Sequence, residues 1–262
     1  MLVASLAWAA RGEARMTVIY DLPESAQMLL DNGLTVGDGL YQQQPAAAVL
    51  PGDRQVWKVT GGVGTTATPS IRGLTATDMA ALLRGRVDDA GAHIVFIDTG
   101  PDFPAADAVN LNSAMSKLRN ISSSSGGTYA DRVHMYVRPD RLFADSGPFW
   151  QAIARSGGVW AETYGAGAVR WTDAQWSLYP QRIRDGLVAR GMSKSRLHLM
   201  VRGADQAAVW AKLRTGVACE FLRNGPGAYR IEDHAGFVAG FRSAFGTAPA
   251  PSGPSNVTCT SS

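Results

Sequence analysis

Short runs of β-branched and aromatic residues recur along the chain, alternating with longer stretches whose apolar positions fall at helical spacing. The runs are Thr17-Val-Ile-Tyr-Asp21, Gln55-Val-Trp-Lys-Val-Thr60, His93-Ile-Val-Phe-Ile-Asp98, Val133-His-Met-Tyr-Val-Arg138, Val159-Trp-Ala-Glu-Thr-Tyr164, Leu197-His-Leu-Met-Val-Arg202 and Ala228-Tyr-Arg-Ile-Glu232. Their composition and period-two alternation predict strands. No fixed sequence period links them, but the order of helical stretch, glycine turn and short apolar run is the same each time.

Helix signals fill the gaps. Thr75-Ala-Thr-Asp78 reads as a capping arrangement ahead of Met79, Leu82, Leu83 and Val87 at helical spacing, with Asp78 reaching back toward the cap. Thr172-Asp173 opens a helix toward Arg190, which Gly191 closes. Further helices are expected over 105–118, 147–155, 205–222 and 234–244. Strands that alternate with helices pair in parallel, because parallel neighbours need a crossover of a dozen or more residues. Seven units are visible, and the stretch from Leu22 to Asp53 could hold an eighth strand near Leu34 to Tyr41.

The 262 residues suit a single (β/α)8-type barrel, which needs about 250, with one unit irregular or missing. An open doubly wound sheet is the alternative. It lacks a Gly-x-Gly-x-x-Gly after an early strand, and Gly61-Gly-Val-Gly-Thr-Thr66 carries no phosphate-binding lysine and no immediate helix, so that stretch reads as a flexible loop. The expected division is an N-terminal segment 1–15, a barrel domain 16–246 and a Pro/Gly/Ser-rich tail 247–262.

Alternation also sorts the side chains of each strand between two faces. Val133, Met135 and Val137, then Val159, Ala161 and Thr163, then Leu197, Leu199 and Val201 make aliphatic faces suited to outer helices. The opposite faces carry His134, Tyr136 and Arg138; Trp160, Glu162 and Tyr164; His198, Met200 and Arg202. In a barrel the last inward residues of successive strands converge at the C-terminal mouth, where barrel enzymes work. Asp21, Lys58, Asp98, Arg138, Glu162, Tyr164, Arg202, Arg230 and Glu232 are those residues here.

Glu162 is the foremost candidate acid. Trp160 and Tyr164 flank it on its face, and desolvation by aromatics raises a carboxyl pKa toward the range useful for proton donation. Asp98 or Glu232 would be its catalytic partner. Carboxyls about 5–5.5 Å apart suit a nucleophile with an acid/base, and about 6.5–9.5 Å leaves room for an attacking water. The alternative for Glu162 is a structural carboxylate neutralised by Arg138 or Arg202. Trp150, Trp160, Trp171 and Trp176 gather around this strand, and flat rings suit sugar faces; Trp160 is the one expected in the cleft, and Trp176 the one expected in helix packing. Trp160, Tyr164, Arg138, Arg202, Arg230, Lys58 and Asp21 are the expected substrate-binding residues.

Composition removes several classes. The chain is 45% hydrophobic and 18% charged with a net charge of +3 and no basic stripe, so it reads as globular with no nucleic-acid partner. No apolar run reaches the roughly 20 residues of a membrane span. His93, His134, His198 and His234 form no metal-binding pair and no Gly-x-Ser-x-Gly elbow occurs; no metal and no cofactor are expected. Lys58, between apolar neighbours, keeps open a Schiff-base lyase or aldolase. Met1 to Ala10 resembles the apolar centre of a secretory signal, or a short helix or extension before Met16. Cys219 and Cys259 are the only cysteines. A bridge between them would pin the tail, add about 3–4 kcal/mol and fit an oxidising, extracytoplasmic compartment; two free thiols are the other reading.

Ile94-Val-Phe-Ile-Asp98, Gly158-Val-Trp-Ala-Glu-Thr-Tyr164 and Asn224-Gly-Pro-Gly-Ala-Tyr-Arg230 together resemble secreted barrel proteins of high-GC actinobacteria described as glycoside-hydrolase-like. The preponderance of arginine over lysine, 21 against 4, fits such a genome. The resemblance implies a carboxylate pair at strand ends, which Asp98 and Glu162 match. The chain departs from it in having no Asn-Glu pair at a strand end and no Asp-x-x-Asp-x-Asp-x-Glu run of chitinase-like barrels. The expectation is a monomeric glycosidase acting on a carbohydrate or other small polar substrate, or else a barrel that binds carbohydrate without cleaving it.

Overall fold

The computed structural model describes residues 17–20, 40–44, 54–89, 91–92, 94–99, 103–124, 126–145, 147–164, 170–202, 207–224, 227–229, 234–245 and 259. Eight strands are present: β1 (Thr17–Tyr20), β2 (Leu40–Gln44), β3 (Arg54–Thr60), β4 (Ile94–Asp98), β5 (Val133–Val137), β6 (Gly158–Glu162), β7 (Leu197–Arg202) and β8 (Gly227–Tyr229). Eight helices lie among the described residues: α1 (Ala76–Asp88), α2 (Ala105–Leu118), α3 (Pro139–Ala144), α4 (Pro148–Ala154), α5 (Asp173–Val188), α6 (Ala207–Leu213), α7 (Ala218–Arg223) and α8 (His234–Phe245).

Every strand pairs in parallel with its neighbour in chain order, and β8 pairs in turn with β1 through Thr17 opposite Gly227, so the strands form a ring. The eighth strand does exist, but it spans Leu40–Gln44 rather than starting near Leu34. Its run Leu-Tyr-Gln-Gln-Gln is mostly polar, which hides it from a search for apolar runs.

Two apolar clusters divide the faces of the ring. The outer one joins Val59, Val95, Ile97, Met135, Ala161 and Leu199 to helix residues such as Met79, Leu111, Ile153 and Ile183. The inner one consists of Val56, Ile94, Phe96, Trp160 and Met200, with Tyr136 packed on it. Interior volume is scarce where β8 closes the ring. A Cβ at Gly227 would lie 2.8 Å from Trp160 Cε3, so β8 presents a glycine at the point where the indole and Met200 fill the centre.

Local signals set the helix ends. At α1 the Thr75 hydroxyl accepts the Asp78 N–H at 3.2 Å and donates to Asp78 Oδ2 at 2.7 Å. Thr172 and Gln175 complete a reciprocal capping box at α5. The single helix expected over 205–222 is instead α6 and α7. Gly216 between them has φ +48°, a left-handed conformation that interrupts a right-handed helix. Cys219, on α7, and Cys259 form a disulfide across 40 residues of chain. Such a loop restricts the unfolded chain by about 4 kcal/mol in the entropy account.

Candidate functional site

The interior is ordered in layers from the N-terminal to the C-terminal ends of the strands. His134 and His198 lie near the N-terminal ends of β5 and β7, on the strands either side of Trp160. The indole N–H donates to His134 Nδ1 at 2.9 Å, and the indole stacks on His198 at 3.9 Å with planes 9° apart. Burial, and then the neighbouring His198, push His134 down to about 3, so it stays the neutral acceptor that the indole needs.

Trp160 is therefore not a cleft residue. It is 2% exposed, its N–H is spent on His134 and its face on His198. Trp176 packs among the helices as expected, and Trp150 and Trp171 are packing residues too. Trp150 stacks on Phe143, and Trp171 lies 4.8 Å from Trp176, all within the outer cluster and its borders.

Above the indole stands a cluster of polar side chains drawn from four strands and their exits. Register sets it up: Lys58 is opposite Phe96, Asp98 opposite Tyr136, and Glu162 opposite Met200. Lys58 Nζ lies 2.8 Å from Asp98 Oδ2. The hydroxyls of Tyr136 and Tyr164 are hydrogen-bonded to each other, and Tyr136 lies close enough to Glu162 to favour its ionised form. Tyr164 stands two residues beyond the end of β6, where it bridges in antiparallel fashion to Arg170.

Glu162 is 8% exposed. Burial, followed by the charge of Asp98, pushes its carboxyl up to about 8, against the opposing pull of Arg138 and the Tyr136 hydrogen bond. At neutral pH it holds its proton, as a general acid must. Burial chiefly, with help from Tyr164 and Glu162, also pushes the Tyr136 phenol well up, so Tyr136 remains a neutral hydroxyl.

Arg138 caps the short helix α3, and its Nε donates to Asp140 Oδ1 at 3.1 Å. Its guanidinium is thus oriented by Asp140 while its charge reaches Glu162. Of the residues singled out from the sequence, Lys58, Asp98, Arg138, Glu162 and Tyr164 come together. Arg202 ends β7, and its side chain is outside the described residues, as are Asp21, Arg230 and Glu232 altogether. Tyr136 was assigned no role from sequence, although its place two residues before Arg138 on the inward face was the available signal. Among the described residues no group of three His, Cys, Asp or Glu could hold a metal ion. A separate cavity of about 280 Å³ lies on the outer helices, lined by residues such as Trp176, Gln181 and Lys212, away from the strand ends.

No protein-family model matches the chain, and no curated protein does. Solved structures do resemble it. A GH18 chitinase from Pseudoalteromonas aurantia superposes with a TM-score of 0.54 at 13% identity, covering 87% of this chain and 99% of the other. A family GH18 chitinase from Chromobacterium violaceum gives 0.48 at 11% identity, over 91% and 82% of the two chains. The first likeness shows a shared fold. No helix among the described residues is long and apolar enough to cross a membrane.

Proposed function

We propose that this chain is a (β/α)8 barrel of the glycoside-hydrolase kind that cleaves a glycosidic bond at the C-terminal mouth of the ring, with Glu162 as proton donor. The observation that carries the reading is the pairing of two carboxyls in unlike states: Glu162, buried and pushed up to about 8, and Asp98, in an ion pair with Lys58. A buried carboxyl that keeps its proton, beside a carboxylate held by a cation, suits an acid and its partner. Glu162 gives its proton to the departing glycosidic oxygen. Asp98 serves the anomeric centre, as nucleophile or as the base for a water. Glu232 is the alternative partner.

Lys58 and Arg138 supply positive charge toward hydroxyl or anionic groups of the substrate, joined in this reading by Arg202, Arg230 and Asp21. The ion pair of Lys58 with Asp98 favours an ammonium, whereas a Schiff base starts from the neutral amine; the lyase reading gains nothing from it. The disulfide accords with an extracytoplasmic protein.

The chitinase with the shared fold makes chito-oligosaccharides the first substrates to test, although the acidic run of chitinase-like barrels is absent here. The test is hydrolysis of reducing-end-labelled oligosaccharides, chitin-derived and others, by the protein and by Glu162→Gln. The variant should lose about 10²- to 10⁴-fold while keeping its fold and its binding. Activity within a factor of a few of the parent overturns the assignment. A protein that binds oligosaccharide but never turns it over is a binding barrel instead.

A further inference from the structure

We propose that the cavity on the outer helices is a second binding site, separate from the mouth of the ring, that takes one neutral sugar unit. It has a volume of about 280 Å³ and lies between α5, through Trp176, Ser177 and Gln181, and the turn from α6 into α7, through Lys212, Thr215 and Gly216. A water molecule occupies about 30 Å³ of the liquid, so the space suits a single ring with its hydroxyls.

The indole of Trp176 is what points to a ligand. The residue is only 8% exposed and packs on Trp171, with ring centroids 4.8 Å apart. Its N–H is not sealed from solvent, yet it donates to no group among the described residues. An indole N–H at such depth ordinarily has an acceptor, and the cavity beside it is the space in which one fits.

The other walls show what kind of acceptor. Ser177 Oγ donates to the carbonyl of Asp173 at 3.0 Å, and Thr215 Oγ1 donates to the carbonyl of Lys212 at 2.8 Å. With their protons committed to the backbone, both hydroxyl oxygens offer lone pairs. Gln181 is exposed and brings an amide that gives and accepts. Lys212 Nζ lies 2.8 Å from Asp173 Oδ1, so the one cation of the described wall has its counter-charge in place, and an anion would have to displace Asp173 to use it. Donors and acceptors side by side without uncompensated charge match a neutral molecule rich in hydroxyls, each of which gives and receives. Val217 and Ala218 add apolar surface for the C–H side of a ring.

The turn that forms the far wall is held by bonds of its own. Gly216, at φ +48°, carries the chain from α6 into α7, and a Cβ placed there would meet nothing within 4 Å. The Cys219 N–H lies 3.3 and 3.2 Å from the carbonyls of Thr215 and Gly216, and the disulfide to Cys259 fixes the same helix. A wall built in advance spends little of the ligand's affinity on ordering.

The test reads the indole directly. The chain has seven tryptophans, so ¹⁵N-labelled indole gives a countable set of N–H signals, and that of Trp176 is assigned by its loss in Trp176→Phe. Should that variant not fold, the shifts produced by Ser177→Ala and Gln181→Ala, both at exposed positions, assign it instead. The probes are the methyl β-glycosides of glucose, xylose and N-acetylglucosamine. A ligand of about a dozen non-hydrogen atoms binds in the millimolar range at ordinary efficiency. At least one glycoside should move the Trp176 signal at that concentration and leave those of the enclosed Trp160 and Trp210 where they are. Gln181→Ala and Thr215→Val should each weaken this binding by about two- to tenfold, the range for one hydrogen bond.

A Trp176 signal that none of the three glycosides moves overturns the proposal. So does a shift that survives Gln181→Ala and Thr215→Val at full affinity, because the sugar then sits elsewhere, the mouth included. Inorganic phosphate that moves the signal where the glycosides do not makes this an anion site and overturns the neutral ligand. Glu162→Gln should bind the glycosides at Trp176 as the parent does. A chain that hydrolyses nothing therefore removes the proposed function and leaves this site to stand or fall by its own titration.

Discussion

Lys58 Nζ sits 2.8 Å from Asp98 Oδ2, so the cation of β3 and the carboxylate of β4 meet at the strand ends, with Tyr136 of β5 opposite Asp98. Asp98 is the second cause of the raised Glu162 pKa, after burial. The substitution Asp98→Asn removes that charge and leaves the burial. The Glu162 titration should fall from about 8 but stay above 4.5, as followed by carboxyl NMR. A midpoint that does not move would place Asp98 outside the electrostatic reach of Glu162 and break the pair on which the proposed chemistry depends.

Glu162 should cost the fold stability as the pH rises. Its carboxyl is pushed up from 4.5 to about 8 in the folded protein, so between those values the native state holds a proton that the unfolded chain has released. Stability then falls with rising pH across that window, because the unfolded state binds fewer protons. The contribution is fully present below 4.5 and gone above about 8, and amounts to a few kcal/mol at most. Glu162→Gln has no such proton to lose. Its urea midpoint relative to the parent should rise steadily from pH 4.5 to 8, and a difference that is flat with pH would contradict the buried acid.

At the other end of the ring His134 has the opposite sign. Its imidazole is pushed down from 6.5 to about 3, so below pH 6.5 the unfolded chain binds a proton that the native state refuses. Stability present above 6.5 is lost progressively as the pH falls toward 3. Glu162 has little slope below 4.5, which leaves the interval from 4.5 to 3 as the clean test. His134→Gln keeps an acceptor for the Trp160 N–H. It should flatten the decline in unfolding midpoint across that interval, and a decline equal to the parent's would assign the acid sensitivity elsewhere.

These two opposite slopes also mark what the sequence could and could not reveal. Alternation alone placed His134, Trp160, Glu162 and Met200 on inward faces, because a strand leaves each side chain only two directions. It could not say what each one touches. Trp160 and Glu162 are two residues apart on one face of β6, yet the indole is a plug between two imidazoles and the carboxyl stands at the polar end. Depth along the axis comes from register, such as Trp160 against His198 and Glu162 against Met200, and register is a long-range property. Tyr136 went unassigned for the same reason: its place in the ring comes from its pairing with Asp98 on one side and Trp160 on the other. The span of the polar strand β2 and the break at Gly216 escaped because neither announces itself in the pattern of apolar residues.

Gly227 tests the central packing independently of any chemistry. β8 has only three residues, yet it pairs with both β7 and β1, so the ring depends on its fitting against Met200 and Trp160. A methyl group placed there would lie 2.8 Å from Trp160 Cε3 and closer still to Met200 Sδ. The methionine can swing aside, since it is flexible; the indole, held by His134 and His198, cannot. Gly227→Ala should therefore destabilise the fold by about 1–3 kcal/mol, the usual cost of overpacking. Adding Met200→Ala should recover part of that loss, while Met200→Ala alone should destabilise by leaving a cavity. The measurement is the double-mutant cycle in urea: a favourable coupling between the two changes is the expected result. Simple additivity would mean that Gly227 and Met200 do not share the same interior space.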